Sequence, residues 1–104
     1  MGKTATGTIN SVNIPINTET VIGSITLDPG VWLVAISIWN PTGSNSISIA
    51  IKNTNISVLA VSQQPRLTGW LKPTQKTTYN IVCSQWAEAN PKLNSGSVGA
   101  IRLK

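Results

Sequence analysis

Histidine and phenylalanine are missing from this 104-residue chain, cysteine occurs once, and there are three acids. Without histidine, no side chain has an ordinary pKa near neutrality, and general acid–base work would fall to Glu19, Asp28 or Glu88. None of these has a convincing partner. Asp28 belongs to a Pro-Gly turn, Glu19 to a polar connector, and Glu88 to a long loop where it is placed to touch a ligand. The lone Cys83 sits in an apolar run with no histidine to act as its base, which favours a buried, inert thiol over a nucleophile. One cysteine and no clustered acids make a poor metal site. The expectation is a protein that is not an enzyme and carries no cofactor or metal.

Long hydrophobic runs are missing as well. No segment approaches the roughly 18 apolar residues of a membrane-spanning helix, and the N-terminal MGKTATGTINSV lacks the apolar core of a signal peptide. A chain made in the cytoplasm, without membrane insertion, is expected. Gly2-Lys3-Thr4 echoes the end of a phosphate-binding loop but lacks its upstream glycine and strand, and Gly2 with Thr6 matches a myristoylation pattern on two common residues only. Eight basic residues against three acids give a net charge of +5, yet they are spread singly and no basic run exists. Such diffuse charge suits weak attraction to anionic polymers or cell surfaces, and suits ordinary solubilising charge better.

What the chain does contain is β chemistry. Apolar content rests on Ile, Val, Leu and four Trp, with Thr, Ser and Asn filling the rest. The organising stretch is Leu27 to Asn40, LDPGVWLVAISIWN, in which Asp28-Pro29-Gly30 makes a sharp turn and Val31 to Trp39 a strand. One face of that strand carries Trp32, Val34, Ile36 and Ile38, the other Val31, Leu33, Ala35, Ser37 and Trp39. Neither face is clearly polar, so the outer face is expected to be covered too, and a second subunit is a candidate cover.

Further strands are expected at Thr20–Leu27, with a bulge at Gly23, at Ser46–Lys52, at Ile56–Ser62, at Thr77–Ser84 and at Gly96–Leu103. Asn53-Thr54-Asn55 would close a hairpin. Asn40 to Asn45, Gln63 to Gly69 and Gln85 to Ser95 read as loops, and Trp70-Leu71-Lys72 as a brief apolar segment. Residues 1–12 form a flexible or edge-strand lead-in to a single domain over 1–104. The fold class expected is all-β, an antiparallel sandwich or barrel.

The series Gly23-x-Ile25-x-Leu27-x-Pro29-Gly30-x-Trp32-Leu33-Val34, followed by a Ser/Asn/Thr-rich turn and the C-terminal Gly99-Ala100-Ile101-Arg102-Leu103-Lys104, resembles the compact β heads at the tips of bacteriophage tail fibres and receptor-binding proteins. Those heads are in turn similar to the jelly-roll heads of complement and tumour-necrosis-factor proteins. The resemblance implies a jelly-roll-like homotrimer in the virion tail, mediating host adhesion by binding bacterial cell-surface carbohydrate in shallow loop or intersubunit sites. Other virion proteins are the remaining partners it implies, and a purely structural virion part that docks to another phage component is the alternative. No specific sugar contact transfers, because the loops vary.

Sugar recognition stacks a pyranose face on an aromatic ring and gives its hydroxyls to polar side chains, so the tryptophans decide the candidates. Trp32 belongs to the core, and Trp70 to the core or a subunit interface. Trp39 either caps the core or lines a rim. Trp86 stands among sugar-compatible residues, or folds back as a loop anchor. The candidate saccharide residues are Trp86, Glu88, Asn90, Trp39, Asn40 and Arg66. A small β-barrel for single-stranded nucleic acid is disfavoured, because basic and aromatic residues do not interleave on one strand face.

Overall fold

The computed structural model describes residues 3–10, 14, 18–39, 47–60, 65–85 and 95–104. Among the described residues nine strands form two antiparallel sheets packed face to face, as the composition implied. β1 (Thr4–Thr6), β9 (Ser95–Arg102), β4 (Trp32–Trp39) and β7 (Arg66–Leu71) make a four-stranded sheet in the order β1-β9-β4-β7. β2 (Thr8–Ile9), β3 (Thr20–Leu27), β8 (Thr77–Gln85), β5 (Ile47–Ile51) and β6 (Ser57–Ala60) make a five-stranded one in the order β2-β3-β8-β5-β6.

The alternation along β4 separates its faces as expected. Trp32, Val34, Ile36 and Ile38 are buried between the sheets, while Leu33 and Ala35 are exposed and Ser37 and Trp39 half-buried on the outside. Across the interior the core is completed by Ile25 and Leu27 of β3, Ile47, Ile49 and Ile51 of β5, Ile81 and Cys83 of β8, and Val98 and Ala100 of β9. Trp32 satisfies its one polar atom locally, Nε1 donating to the Asp28 carbonyl at 2.8 Å, so the indole enters the core without an unmet donor.

β3 carries the anticipated bulge. Its register against β8 shifts between Val21 and Gly23. The shift resolves a parity conflict: Ile22 is buried, but so are Ile25 and Leu27, which strict alternation from Ile22 would turn outward. The hairpin of β5 and β6 is also as expected, with Asn53 at φ 65° and the Thr54 hydroxyl donating to the Ile51 carbonyl at 2.8 Å.

Three expectations are corrected. The lead-in is two edge strands, not one segment: β1 pairs with β9 in one sheet and β2 with β3 in the other. The chain changes sheets at Gly7, where a Cβ would run into the Ser24 carbonyl, Ile25 and Val98. Second, Arg66 to Gly69 is strand and not loop, because β7 pairs with β4 from Ser37↔Arg66 through Trp32↔Leu71 and tertiary pairing overrides the local Pro-Gly punctuation. Third, of the two places expected for Trp70, core or subunit interface, the core is excluded: as an outward residue of β7 it is 53% exposed. The expected Asn40–Asn45 turn and most of the 85–95 loop lie outside the described residues.

Candidate functional site

Strand directions sort the molecule into two poles, separated along β4 by about 23 Å at roughly 3.3 Å per residue. One pole collects the ends of segments far apart in sequence. Trp39 pairs with Ser95, and the Ile38 amide donates to the Pro65 carbonyl at 3.0 Å. In the facing sheet, Ile47 pairs with both Gln85 and Ala60. Asn40, Trp86, Glu88 and Asn90 themselves lie outside the described residues. The described residues flanking them, Trp39 with Ile47 and Gln85 with Ser95, are all at this pole.

The two candidates within the described residues share a surface. Trp39 alternates with buried Ile38 and so projects, half-buried, from the outer face of the four-stranded sheet. Arg66 is exposed opposite Ser37, two residues from Trp39 on the same face. Trp39 and Arg66 are therefore diagonal cross-strand neighbours, a relation with a spacing of about 7–8 Å. Beside them an open depression of about 350 Å³ is lined by Ala35, Ser37, Arg66, Thr68 and Ser97. Hydroxyls, a guanidinium and an indole on one open surface can take a sugar's hydroxyls and its apolar face. Ser37 was legible as a face-mate of Trp39, but Thr68 and Ser97 join the site only through the registers of β7 and β9.

Further along the same face the chemistry turns apolar. A row across all four strands reads Thr4, Ile101, Leu33 and Trp70. Ile101 is 48% and Leu33 36% exposed. Next to it lies a row of smaller residues, Thr6, Gly99, Ala35 and Thr68, and an open trough of about 390 Å³ over Ala35, Gly99 and Ile101. Arg66 and Trp70 stand on one face of β7, so basic and aromatic residues do share a strand face, contrary to the reading in which 63–69 was a loop.

Among the described residues no group of three or more metal-ligating side chains occurs, and no helix is long and apolar enough to cross a membrane. Cys83 is fully buried, and desolvation pushes its thiol up from 9.0 to about 12. A raised folded-state pKa gives stability that is intact below the unfolded value and declines as pH rises toward the folded one. Between about pH 9 and 12, Cys83 should therefore cost roughly 1.4 kcal/mol of stability per pH unit. Denaturant unfolding at pH 8 and pH 10.5 should show that loss in the native protein and a reduced one in Cys83→Val; equal losses would mean the thiol does not titrate this way.

At the opposite pole Asp28 bonds Lys3 at 2.7 Å. Its carboxyl is held below the ordinary value of 3.8 first by that hydrogen bond, then by the charge of Lys3, and further by Lys76 and Arg102, with desolvation opposing. The associated stability is present above the ordinary carboxylate range and lost as pH falls through the depressed value.

No family model and no curated protein matches the sequence. Solved structures do match. Eiger TNF from S. frugiperda superposes with TM-score 0.51 at 10% identity, over 97% of this chain and 92% of that one. CBM35 from Cellvibrio japonicus Abf62 gives TM-score 0.45 at 13% identity, over 100% of this chain and 95% of that one. An exo-beta-1,3-galactanase from Phanerochaete chrysosporium gives TM-score 0.35 at 12% identity, over 94% of this chain and 29% of that one. The likeness to the TNF is one of fold, and the chain is an antiparallel β-sandwich of the jelly-roll type.

Proposed function

We propose that this protein is a non-catalytic, homotrimeric head of a bacteriophage tail or related adhesion device, and that it binds saccharide of the bacterial cell surface. The observation that carries the reading is the convergence at one pole of Trp39, Arg66 and the strand ends flanking 40–46 and 86–94. Trp39, Arg66 and the described residues that flank the other residues chosen for sugar chemistry stand at one end of the sandwich. The protein acts in the virion tail after synthesis in the host cytoplasm, and its other partners are virion proteins. The non-catalytic reading is supported by Cys83, sealed in the core, and by Asp28 and Glu19, each engaged by a lysine.

Trimer formation is supported by the outer face of the four-stranded sheet. Trp70 on edge strand β7 is a projecting knob, and the trough over Ala35 and Gly99 is a hollow displaced from it on the same face. A knob and a hollow at different places suit a head-to-tail contact, which forms a ring where the rotation between neighbours closes.

A bacterial-envelope glycan screen with the whole protein tests the binding. Saturable binding is expected. Arg66→Ala and Trp39→Ala should each weaken it by about 1–3 kcal/mol, as truncation of an anchor does. Arg66 is exposed, so its removal should leave the melting temperature nearly unchanged. Absence of saturable sugar binding would favour the alternative, a structural virion part docking through this pole to another phage protein.

A further inference from the structure

Charge that is scattered along the sequence is gathered in space at the pole opposite Trp39. Of the seven basic residues described, five surround the turn at Asp28 to Gly30: Lys3, Lys72, Lys76, Arg102 and Lys104. The assembly is dictated by pairing. Arg102 sits opposite Trp32 in β9, its amide donating to the Lys3 carbonyl at 2.8 Å, and its guanidinium lies against Gly30. The Lys104 carbonyl accepts from Val31 at 3.0 Å. Leu71, also opposite Trp32, places Lys72 beside this turn, and the Gly30 amide donates to the Pro73 carbonyl at 3.1 Å. Thr77 pairs with Leu27, which brings Lys76 near enough to depress the Asp28 carboxyl.

The only described acidic side chain there is Asp28, and Lys3 takes it. Lys72, Lys76 and Lys104 are exposed and form no ion pair with a described residue. We infer that this pole is a second binding surface, distinct from the saccharide pole, for a linear phosphate-bearing polymer. The chemistry selects that class of partner. The large apolar side chains at this pole, Leu27, Trp32, Leu71 and Pro73, are buried, which leaves Pro29 exposed, Val31 and Leu103 half-buried and Trp70 one row back on the outer face, little for the apolar centre of a protein interface. Trp70, two residues before Lys72, is the one exposed aromatic beside these cations among the described residues, and a single ring does not make the succession of stacking platforms that a nucleic-acid strand uses. Four of the five cations are lysines, mobile point charges that accept phosphates in many geometries, unlike the bidentate arginine fork. Release of counterions from a densely charged polymer drives such binding.

Long-chain inorganic polyphosphate is the probe, titrated onto the whole protein from 25 to 200 mM salt. With Lys3 held by Asp28, four contacts at about 0.7 each predict a log–log salt slope near −2.8. K72Q/K76Q/K104Q, which alters only exposed side chains, should flatten that slope by about 2. Asp28→Asn should strengthen binding, because it removes the opposing carboxylate. Lys52→Gln, Trp39→Ala and Arg66→Ala should leave polyphosphate affinity unchanged, which keeps the result separate from that of the saccharide pole. Equal weakening by Lys52→Gln would mean that net charge, not this pole, is responsible. Tighter binding to phosphatidylserine vesicles or to duplex DNA than to polyphosphate, or none at 25 mM salt, would overturn the inference.

Discussion

Deleting Ala100 to Lys104 is expected to abolish the cooperative unfolding transition. β9 is an interior strand, held between β1 and β4, so the deletion strips pairing from both neighbours. β4 loses the partners of Trp32, Leu33 and Val34, and β1 those of Thr4 and Ala5. The bonds from Arg102 to Lys3, Val31 to Lys104 and Leu103 to Val31 disappear as well. Each backbone group left unmet in a buried place costs about 1–3 kcal/mol, so half a dozen cost about as much as the 5–15 kcal/mol that holds a typical domain together. The side chains contribute less than the sequence suggests: Ile101 and Leu103 look like buried members of an alternating strand, but Ile101 is 48% exposed and Leu103 half-buried, and the inward residues are Val98 and Ala100. Ile101→Ser should therefore keep a cooperative melt where the deletion does not. A deletion variant that still melts cooperatively would show that β9 is dispensable and the sheet order wrong.

The second large effect concerns assembly. At micromolar concentration the protein should sediment with three times the mass of its chain, and Trp70→Lys should sediment as a single chain. Trp70 and Ile101 are about half-exposed and Leu33 is 36% exposed in the isolated chain, and covering them in a neighbour contributes on the order of 1 kcal/mol apiece at roughly 25 cal/mol per Å². A lysine in place of Trp70 removes the knob and adds charge to a contact between copies that are already cationic. It should hardly change the stability of the isolated chain, since the residue touches solvent more than core. If the unaltered protein is a monomer at that concentration, or if Trp70→Lys stays trimeric, this face is not the subunit contact.

Local pattern alone determined most of the secondary structure and the class of the fold. Period-two alternation of Ile47, Ile49 and Ile51, the Pro-Gly turn before Trp32 and the glycine at the β3 bulge each act within a few residues, and each appears in the structure where the sequence placed it. The inward and outward faces of β4 were legible for the same reason, since alternate residues of a strand point opposite ways whatever lies beside them. Thr8 and Ile9 could not be told from Thr4 to Thr6, because the crossing at Gly7 depends on which sheet edge each meets. Arg66 to Gly69 has little strand propensity and becomes strand only because β4 offers it a ladder. Tertiary structure likewise decided that Trp39 and Arg66 share a surface and that five cations spaced from Lys3 to Lys104 meet at one pole. Strand register sets both juxtapositions, and register is fixed by burying one face of every strand at once, which no single segment encodes.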